Sequence, residues 1–570
     1  MTDRLLEYRS GKQPLPEKYL LWPLYGAGFE NMGVDGKPIE VPMPSSVGAD
    51  ELLVRHDACG LCFSDLKVIA QGQNHPRIFR DMKKEPVTLG HEVSMTVILV
   101  GENLKGMYKP GDRLIIEADI YLNQVSYAYG YTFQGGLSQY AIIDPRVIHS
   151  DTGNNLIPVQ DRLGYAEGAL VEPWACVLAA YRLQYRTQIK PGGTLWVIGR
   201  GKDLPYSLSS GFDSAAHPAK VIATTLPEKF GGWLKKQAET LGVEWVDAPD
   251  PAVPPVEFVD DIVLLGADPD LIEQVSPHLA QFGVMAILDD QPMSRKVNVD
   301  IGRVHYHRWL YTGTTSLEIT RAYTEYPVQA QIKPGGRALF VGAGGPIGRM
   351  HVQRAIQFAN PPSLIVCTDV SDLRLEDLCT SFSGEARAKG IEFVCLNPTN
   401  NDAYKAGIAP YLENGFDYVV VLAPVAAVIA DSANYLGRKA VMNVFAGVAR
   451  GTMAAIDLSK VYLDGNRIIG HSGSDMSDML LTLERWGDDQ LSLNMSVAAI
   501  GSLSAARDGL MAVKNTVFPG KVVIFPNISE LPLTPLEGLK DVLPTVYARL
   551  KNGREWTAEA EEELFRQMLP

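Results

Sequence analysis

The sequence predicts an α/β protein in which a β-rich N-terminal region is followed by two doubly wound units in tandem. Three observations point there. The string QIKPGG occurs at Gln188–Gly193 and again at Gln331–Gly336, 143 residues later. Each copy runs into a short apolar segment and then glycines, TLWVIGRG in the first and RALFVGAGG in the second. Behind each lies the same series of apolar runs separated by longer amphipathic stretches, and strands apolar throughout that alternate with helices form parallel sheets covered on both faces.

Taken in order, the first series is KVIATTL, VEWVDA, DIVLLGA, GVMAILDD and WLYTGTT, and the second is LIVCTDV, IEFVCL, YVVVLAP, AVMNVFAG and RIIGHSGS. Upstream, ELLVRHDACG and RLIIEAD are the clearest strands in a Gly- and Pro-rich region that reads as all-β. Downstream come an amphipathic helix in MSDMLLTLERW, a strand in KVVIFP and a helical tail opening at Thr557 as N-cap, with Leu564 and Met568 at helical spacing. The expected boundaries are 1–184 for the N-terminal catalytic part, 185–326 and 327–475 for the two repeats, and 476–570 for a return to the first domain and the tail. A chain of 570 residues has room for them at about 150 residues per domain.

Composition narrows the function. With 46% hydrophobic and 21% charged residues the chain can bury several cores. Its net charge of −14 repels phosphate backbones and anionic lipid, so neither nucleic acid nor membrane is an expected partner. No apolar run reaches the roughly 20 residues of a membrane span, and the first residues lack a signal-peptide core, so a cytoplasmic location is expected. Six cysteines are too few for a disulfide scaffold. Cys176, Cys367, Cys379 and Cys395 sit in apolar or mixed contexts and read as small packing residues.

The chemistry concentrates near the N-terminus. ACGLCFSDLK carries Cys59 and Cys62, LGHEV supplies His91 and Glu92, and ALVEPWAC supplies Glu172. One thiolate, one imidazole and one or two carboxylates suit a catalytic zinc with an open position. A structural zinc would want a second CxxC and a redox pair would want a βαβ start, and the sequence offers neither.

In the second repeat, VGAGGPIGRM places Gly342, Gly344, Gly345 and Gly348 at a strand-to-helix turn, where bare backbone lets N–H groups approach a pyrophosphate. Asp369 closes the next strand, placed to accept from ribose hydroxyls and repel a 2′-phosphate, which favours NAD over NADP. The first repeat has Gly199 and Gly201, then Leu204 and Pro205, and no carboxylate at the tip of ATTLPEK. It reads as a degenerate copy that keeps the fold without the ligand.

The ordered set CGLCxSD, GHE, PGDR, GGLSQY, VEP, KPGG, TDVSDLRL and FPGKVVIFP resembles the zinc-dependent medium-chain dehydrogenases, closest to their polyol and sugar-phosphate branch. The resemblance implies a GroES-like catalytic domain joined here to two Rossmann domains. It implies Cys62, His91 and Glu92 as zinc ligands, and Glu172 ligating the metal or holding its water. Asp65 is then the partner that orients His91, Ser64 the carrier of the substrate proton, and Arg374 a neighbour of the adenosine ribose. The cysteines that bind a structural zinc in many relatives are missing from EADIYLNQVSYAYGYTFQGG, so one catalytic zinc and no structural zinc is expected. Lys67 stands where many alcohol dehydrogenases have a relay histidine, and Cys59 matches no ligand position.

The implied activity is hydride transfer between NAD(H) and the secondary alcohol or ketone of a polyol, sugar or sugar phosphate. The basic loop HPRIFRDMKK, with Arg77, Arg80, Lys83 and Lys84, is a candidate phosphate contact or a solvated cluster. Two alternatives stay open: a non-catalytic NAD-binding sensor, and a fused reductase with two working nucleotide sites. A further expectation concerns assembly. The last strands of the two repeats, near 309–315 and 467–474, should pair edge to edge in one sheet of about twelve strands, giving a monomer with an internal pseudo-dimer; otherwise the chain is a homo-oligomer.

Overall fold

The structure, a computed structural model, describes residues 4–201 and 203–570. It divides into two compact units. The first runs to Leu178 and takes back Gly345–Met350 and Gly473–Pro570; the second is Ala179–Gly344 with His351–Ser472.

In the first unit, β1 (Leu52–Gly60), β2 (Glu92–Val100), β3 (Arg113–Ile116), β4 (Tyr140–Ile143) and β5 (Leu156–Pro158) form most of an antiparallel sheet, with helix α1 (Phe63–Gln71) following β1. β1 is buried over its whole length, because β2 and β4 both pair with it and the sheet closes over a large apolar cluster. Helix α2 (Tyr165–Ala179) carries Glu172.

The second unit holds the two repeats. The first contributes β6 (Thr194–Gly199), β7 (Lys220–Thr224), β8 (Glu244–Asp247), β9 (Val259–Leu265), β10 (Leu279–Leu288), β11 (Val297–Asp300), α3 (Ile301–His307) and β12 (Leu310–Thr314). The second contributes β13 (Arg337–Val341), α4 (Pro346–Gln357), β14 (Leu364–Thr368), α5 (Asp372–Ala388), β15 (Glu392–Leu396), α6 (Asn401–Leu412), β16 (Phe416–Val421), β17 (Leu436–Val444), β18 (Met453–Ile456) and β19 (Arg467–Gly470). Each makes a six-stranded parallel sheet, ordered β8-β7-β6-β9-β10-β12 and β15-β14-β13-β16-β17-β19. Both orders reverse at the first strand, which is the doubly wound arrangement.

The repetition reaches single side chains. Lys190 pairs with Asp260 at 2.6 Å and Lys333 with Asp417 at 3.1 Å, and the same two carboxylates accept from the backbone N–H of Thr194 and of Arg337, each at 2.9 Å. Phe282 and Lys439 both take a left-handed backbone, φ 61° and 55°, near the start of β10 and of β17.

The repeats differ in two elements. Between β13 and β14 lies α4, whereas no described residue between β6 and β7 is helical, and the first helix of that copy comes only at Glu228–Leu241. Likewise α6 has no counterpart between β8 and β9.

The end strands do not pair as the sequence suggests. The structure has two six-stranded sheets and not one of twelve, and no ladder joins β12 to β19. Instead the arms β11 and β18 pair antiparallel, Val297 opposite Ile456 through Asp300 opposite Met453. One apolar cluster runs through both repeats, from Trp196 and Tyr311 to Met442 and Tyr462. The end strands lie close to each other without a ladder, and the seam around them is tightly packed: a Cβ on Gly313 of β12 would lie 2.7 Å from Tyr462 Cβ, and one on Gly470 of β19 would lie 2.7 Å from His305 Cα. Side chains and helix α3, not a ladder, fill that seam.

The chain then returns to the first unit through α7 (Met476–Gly487), β20 (Val497–Ser502), β21 (Lys521–Phe525), β22 (Thr534–Pro535) and α8 (Ala558–Met568). The complete sheet reads β22-β20-β21-β1-β2-β3-β5, with β4 on β1. Thr557 caps α8 by accepting from Ala560 N–H at 3.0 Å. Glu561 of α8 accepts from Tyr165 and Ala166 N–H at 2.6 and 2.8 Å, so the tail caps the helix that carries Glu172. No described helix is long and apolar enough to cross a membrane.

Candidate metal centre and coenzyme turn

Cys62, His91 and Glu92 converge so that one ligand atom from each lies within 4.8 Å of the other two. Local structure explains how residues this far apart meet. Cys62 is the N-cap of α1, and Asp65, three residues on, completes a capping box by accepting from Cys62 N–H at 3.0 Å. The other oxygen of the same carboxylate lies 3.2 Å from His91 Nδ1. One buried group thus starts the helix and fixes the imidazole ring, which leaves Nε2 for the cluster.

His91 and Glu92 enter β2 opposite the end of β1, where Glu92 sits across from Gly60. A Cβ on Gly60 would lie 2.2 Å from Glu92 Oε2, so glycine is what gives this carboxylate its space. Ser64 N–H points at Cys62 Sγ from 3.5 Å, so the start of the helix faces the sulfur.

The donor set fits a zinc ion. Glu92 is fully buried and its Oε2 has no hydrogen-bond partner, an arrangement that costs free energy unless a cation takes that oxygen. Burial opposes charge on His91, yet Tyr131, Asp65 and Cys62 outweigh it and hold the imidazole well above its ordinary value. The Tyr131 ring packs edge-on to His91 at 5.7 Å.

Glu172 lies outside this close triplet. It faces the cluster from α2 near enough to sense the charges of His91 and Glu92, and it accepts from Cys176 Sγ at 3.6 Å. Burial pushes its carboxyl up, so it holds a proton more readily than an exposed glutamate. Cys59 is also outside: its sulfur is packed where a Cβ on Gly90 or Gly136 would strike it.

Two neighbours had no sequence signal. Lys521 arrives from β21, buried, with its Nζ 2.5 Å from Glu92 Oε1 and 2.9 Å from the Leu61 carbonyl. Glu92 and Cys62 overcome the cost of burying it and keep it charged. Tyr131 comes from the segment beyond the hairpin Asp119–Leu122/Val125–Ala128, the fold taken by the stretch that lacks cysteines. In the basic loop, Arg77 is paired with Asp119, Arg80 donates to the Tyr131 and Thr132 carbonyls, and Lys84 pairs with Asp81. Three of its four cations are thus occupied within the protein.

The candidate coenzyme residues of the second repeat also come together at one turn. Gly342 has φ 80° at the end of β13. Gly344 N–H donates to Asp369 Oδ2 at 3.0 Å and Ser371 N–H to Oδ1 at 3.0 Å, so the carboxylate is held at the tip of β14. A Cβ on Gly344 would lie 2.6 Å from Arg374 Cβ, which places Arg374 against the turn. A Cβ on Gly345 would meet nothing within 4 Å, so the turn is open there, and Gly348 lies in the first turn of α4.

In the first repeat Thr225, φ 50°, follows β7 as Asp369 follows β14. Gly199 is pressed against the Thr225 carbonyl, 2.3 Å from where its Cβ would be, and Arg200 is paired with Asp268. Among the described residues no helix follows β6 as α4 follows β13.

Residues 48–151 match the alcohol dehydrogenase GroES-like domain. The chain is 22% identical over 535 residues to mannitol-1-phosphate 5-dehydrogenase of Aliivibrio fischeri, covering 91% of this chain and 92% of that one. It is 25% identical over 291 residues to L-sorbose 1-phosphate reductase of Klebsiella pneumoniae, 47% of this chain and 69% of that one. Among solved structures, 2R,3R-butanediol dehydrogenase from Bacillus subtilis superposes with a TM-score of 0.52 at 16% identity, over 89% of this chain and all of that one, which establishes the fold alone. The chain is thus similar to zinc-type dehydrogenases, with similarities among those acting on polyols and sugar phosphates. Relatives with named activities are dehydrogenases and reductases.

Proposed function

We propose that the chain is a zinc-dependent, NAD-preferring dehydrogenase that interconverts a secondary alcohol and a ketone of a polyol, sugar or sugar phosphate. The observation that carries this reading is the convergence of Cys62, His91 and a buried Glu92 whose Oε2 is unpartnered. Cys62, His91 and Glu92 would hold the metal, with Glu172 close enough to bond its water or join it. Zinc bound there supplies a Lewis acid that polarises the substrate oxygen. The nicotinamide supplies the hydride acceptor or donor.

The chain's own residues supply position and proton handling. Asp65 holds His91 by Nδ1 and so keeps Nε2 directed at the cluster. Lys521 takes one Glu92 oxygen and leaves the other for the metal. Ser64, two residues after Cys62, is the hydroxyl assigned here to pass the substrate proton outward, and Glu172 adds a carboxyl inclined to hold a proton. In the coenzyme unit, Asp369 is held by two backbone N–H groups where it can accept from ribose hydroxyls and repel a 2′-phosphate, which supports NAD over NADP.

The reading with two working nucleotide sites is weakened by the missing helix after β6 and by Thr225 in the position of Asp369. The sensor reading is weakened by retention of the whole metal set. A screen of polyols, sugars and their phosphates with NAD and NADP, beside metal analysis, tests the proposal. About one zinc per chain, turnover with NAD and loss of turnover on chelation are expected; a zinc-free chain that binds NAD without turnover would select the sensor.

A further inference from the structure

Three cysteines of the second repeat, read in sequence as packing residues, lie together, two of them lining a cavity of about 350 Å³ that contains none of the metal-cluster residues. Cys367 of β14 and Cys395 of β15 are direct partners in the parallel ladder, so both side chains leave the same face of the sheet. Cys379 reaches toward that face from α5, and Cys379 and Cys395 line the cavity together with Leu375, Glu376, Asn397 and Tyr404. Asn397 closes one rim by donating to the Val370 carbonyl at 3.2 Å and to Asp372 Oδ1 at 2.7 Å.

The three sulfurs are not equivalent. Cys367 is fully buried, whereas Cys379 and Cys395 are each partly open. Hydrogen bonding from Cys367 lowers the Cys395 thiol below its ordinary value; burial opposes this and Cys379 adds to it. Burial pushes the Cys367 and Cys379 thiols up, so of the three sulfurs Cys395 is the one that gives up its proton most readily. The thiolate is the nucleophile, and a reactive thiol needs both that charge and access.

We propose that Cys395 and Cys379 form a peroxide-responsive thiol pair, with Cys395 as the attacking sulfur, Cys379 as the resolving thiol and Cys367 as a positioning residue. The co-reactant is a hydroperoxide. The Cys395 sulfur attacks one peroxide oxygen and the O–O bond breaks, giving a sulfenic acid and, with hydrogen peroxide, one water. The Cys379 sulfur then attacks the sulfenic sulfur; an S–S bond forms, the S–O bond breaks, and hydroxide leaves with the Cys379 proton as a second water. Two thiols are oxidised to one disulfide and the peroxide is reduced. The cross-link would join α5 to β15 beside the segment that carries Asp369. Cys367 is sealed within the sheet and does not line the cavity from which the second water leaves, whereas Cys379 does.

The test reads thiols and not turnover, so its failure is separate from failure of the dehydrogenase reading. The zinc-loaded full chain is treated with equimolar hydrogen peroxide, alkylated and mapped by peptide mass spectrometry. A cross-linked Cys379–Cys395 peptide, reversed by dithiothreitol and absent in Cys395→Ser, is expected. The Cys367→Ala variant should shift the pH profile of Cys395 alkylation upward and slow it about tenfold at neutral pH, the equivalent of one pKa unit, and Cys367→Ser should restore part of the rate. Recovery of Cys379 and Cys395 as free thiols after oxidation of Cys62, or a cross-link from Cys395 to Cys367, would overturn the proposal.

Discussion

The two repeats share strand order, the anchoring of their QIKPGG turns and a left-handed residue in the same place, yet they part at the turn after the first strand. In the second, β13 gives way to glycines and then helix α4, with Asp369 held at the tip of the next strand. In the first, β6 gives way to a non-helical stretch, and Arg200 crosses to Asp268. Apart from α6, which the first copy lacks, what differs lies in the parts that would touch a dinucleotide. What is shared is everything that builds a sheet and a seam, so the first copy has the character of a structural partner to the second.

If that contrast holds, all turnover passes through one metal cluster and one glycine turn. The largest effect expected is from Cys62→Ser or His91→Ala, which should abolish zinc binding and nearly all turnover while the far-ultraviolet circular dichroism stays unchanged; turnover retained in a zinc-free variant would break the picture outright. Next comes Asp65→Asn, which keeps shape but changes the partner of His91 Nδ1. Zinc affinity should fall about 10–100-fold, as measured by competition with a chelator.

The contrast between copies is sharpened by calorimetry with NAD, where one site per chain is expected. Asp369→Ala should weaken that site by about tenfold, the equivalent of one lost charge-assisted hydrogen bond, and Gly201→Trp in the first copy should leave it unaltered. The reverse result would assign the coenzyme to the other copy. The smallest effect probes the seam: a Cβ at Gly302 of α3 would lie 2.1 Å from the Ala449 carbonyl oxygen. Gly302→Ala should therefore cost about 1–3 kcal/mol in urea unfolding, with metal content unchanged. Light scattering should give a mass near 62.3 kDa for a chain whose seam is internal.

Much of this was legible in the sequence because it is local or periodic. Apolar runs such as DIVLLGA and YVVVLAP specify buried parallel strands whatever surrounds them, and the apolar part of each, DIVLL and YVVV, falls inside an observed strand. Thr557 announces its helix by capping chemistry alone. The metal residues could be nominated from their types and order, but their convergence depends on Gly60 opposite Glu92 and on Asp65 serving two partners, relations of register and fold. Lys521 and Tyr131 had no signal because a lone lysine in a strand and a tyrosine in a loop are common, and only tertiary structure brings them to the site. The end-strand pairing was misjudged for a similar reason: unpaired strand edges were weighed, while the bulk of Tyr462 and helix α3 at the seam was not. Cys379 and Cys395 looked like filler because their shared cavity is built by α5, β15 and α6 together.

The arm formed by β11 and β18 carries one more consequence. Two separate subunits holding each other through such an arm obey mass action and fall apart on dilution. Linked in one chain, the halves meet at an effective concentration set by the connecting segment, on the order of millimolar for a short linker. The association then no longer depends on how much protein is present, and the halves are always supplied one to one. Under those terms the first copy is free to lose its glycine turn without penalty, but each residue from Val297 to Asp300 remains constrained by the residue it faces.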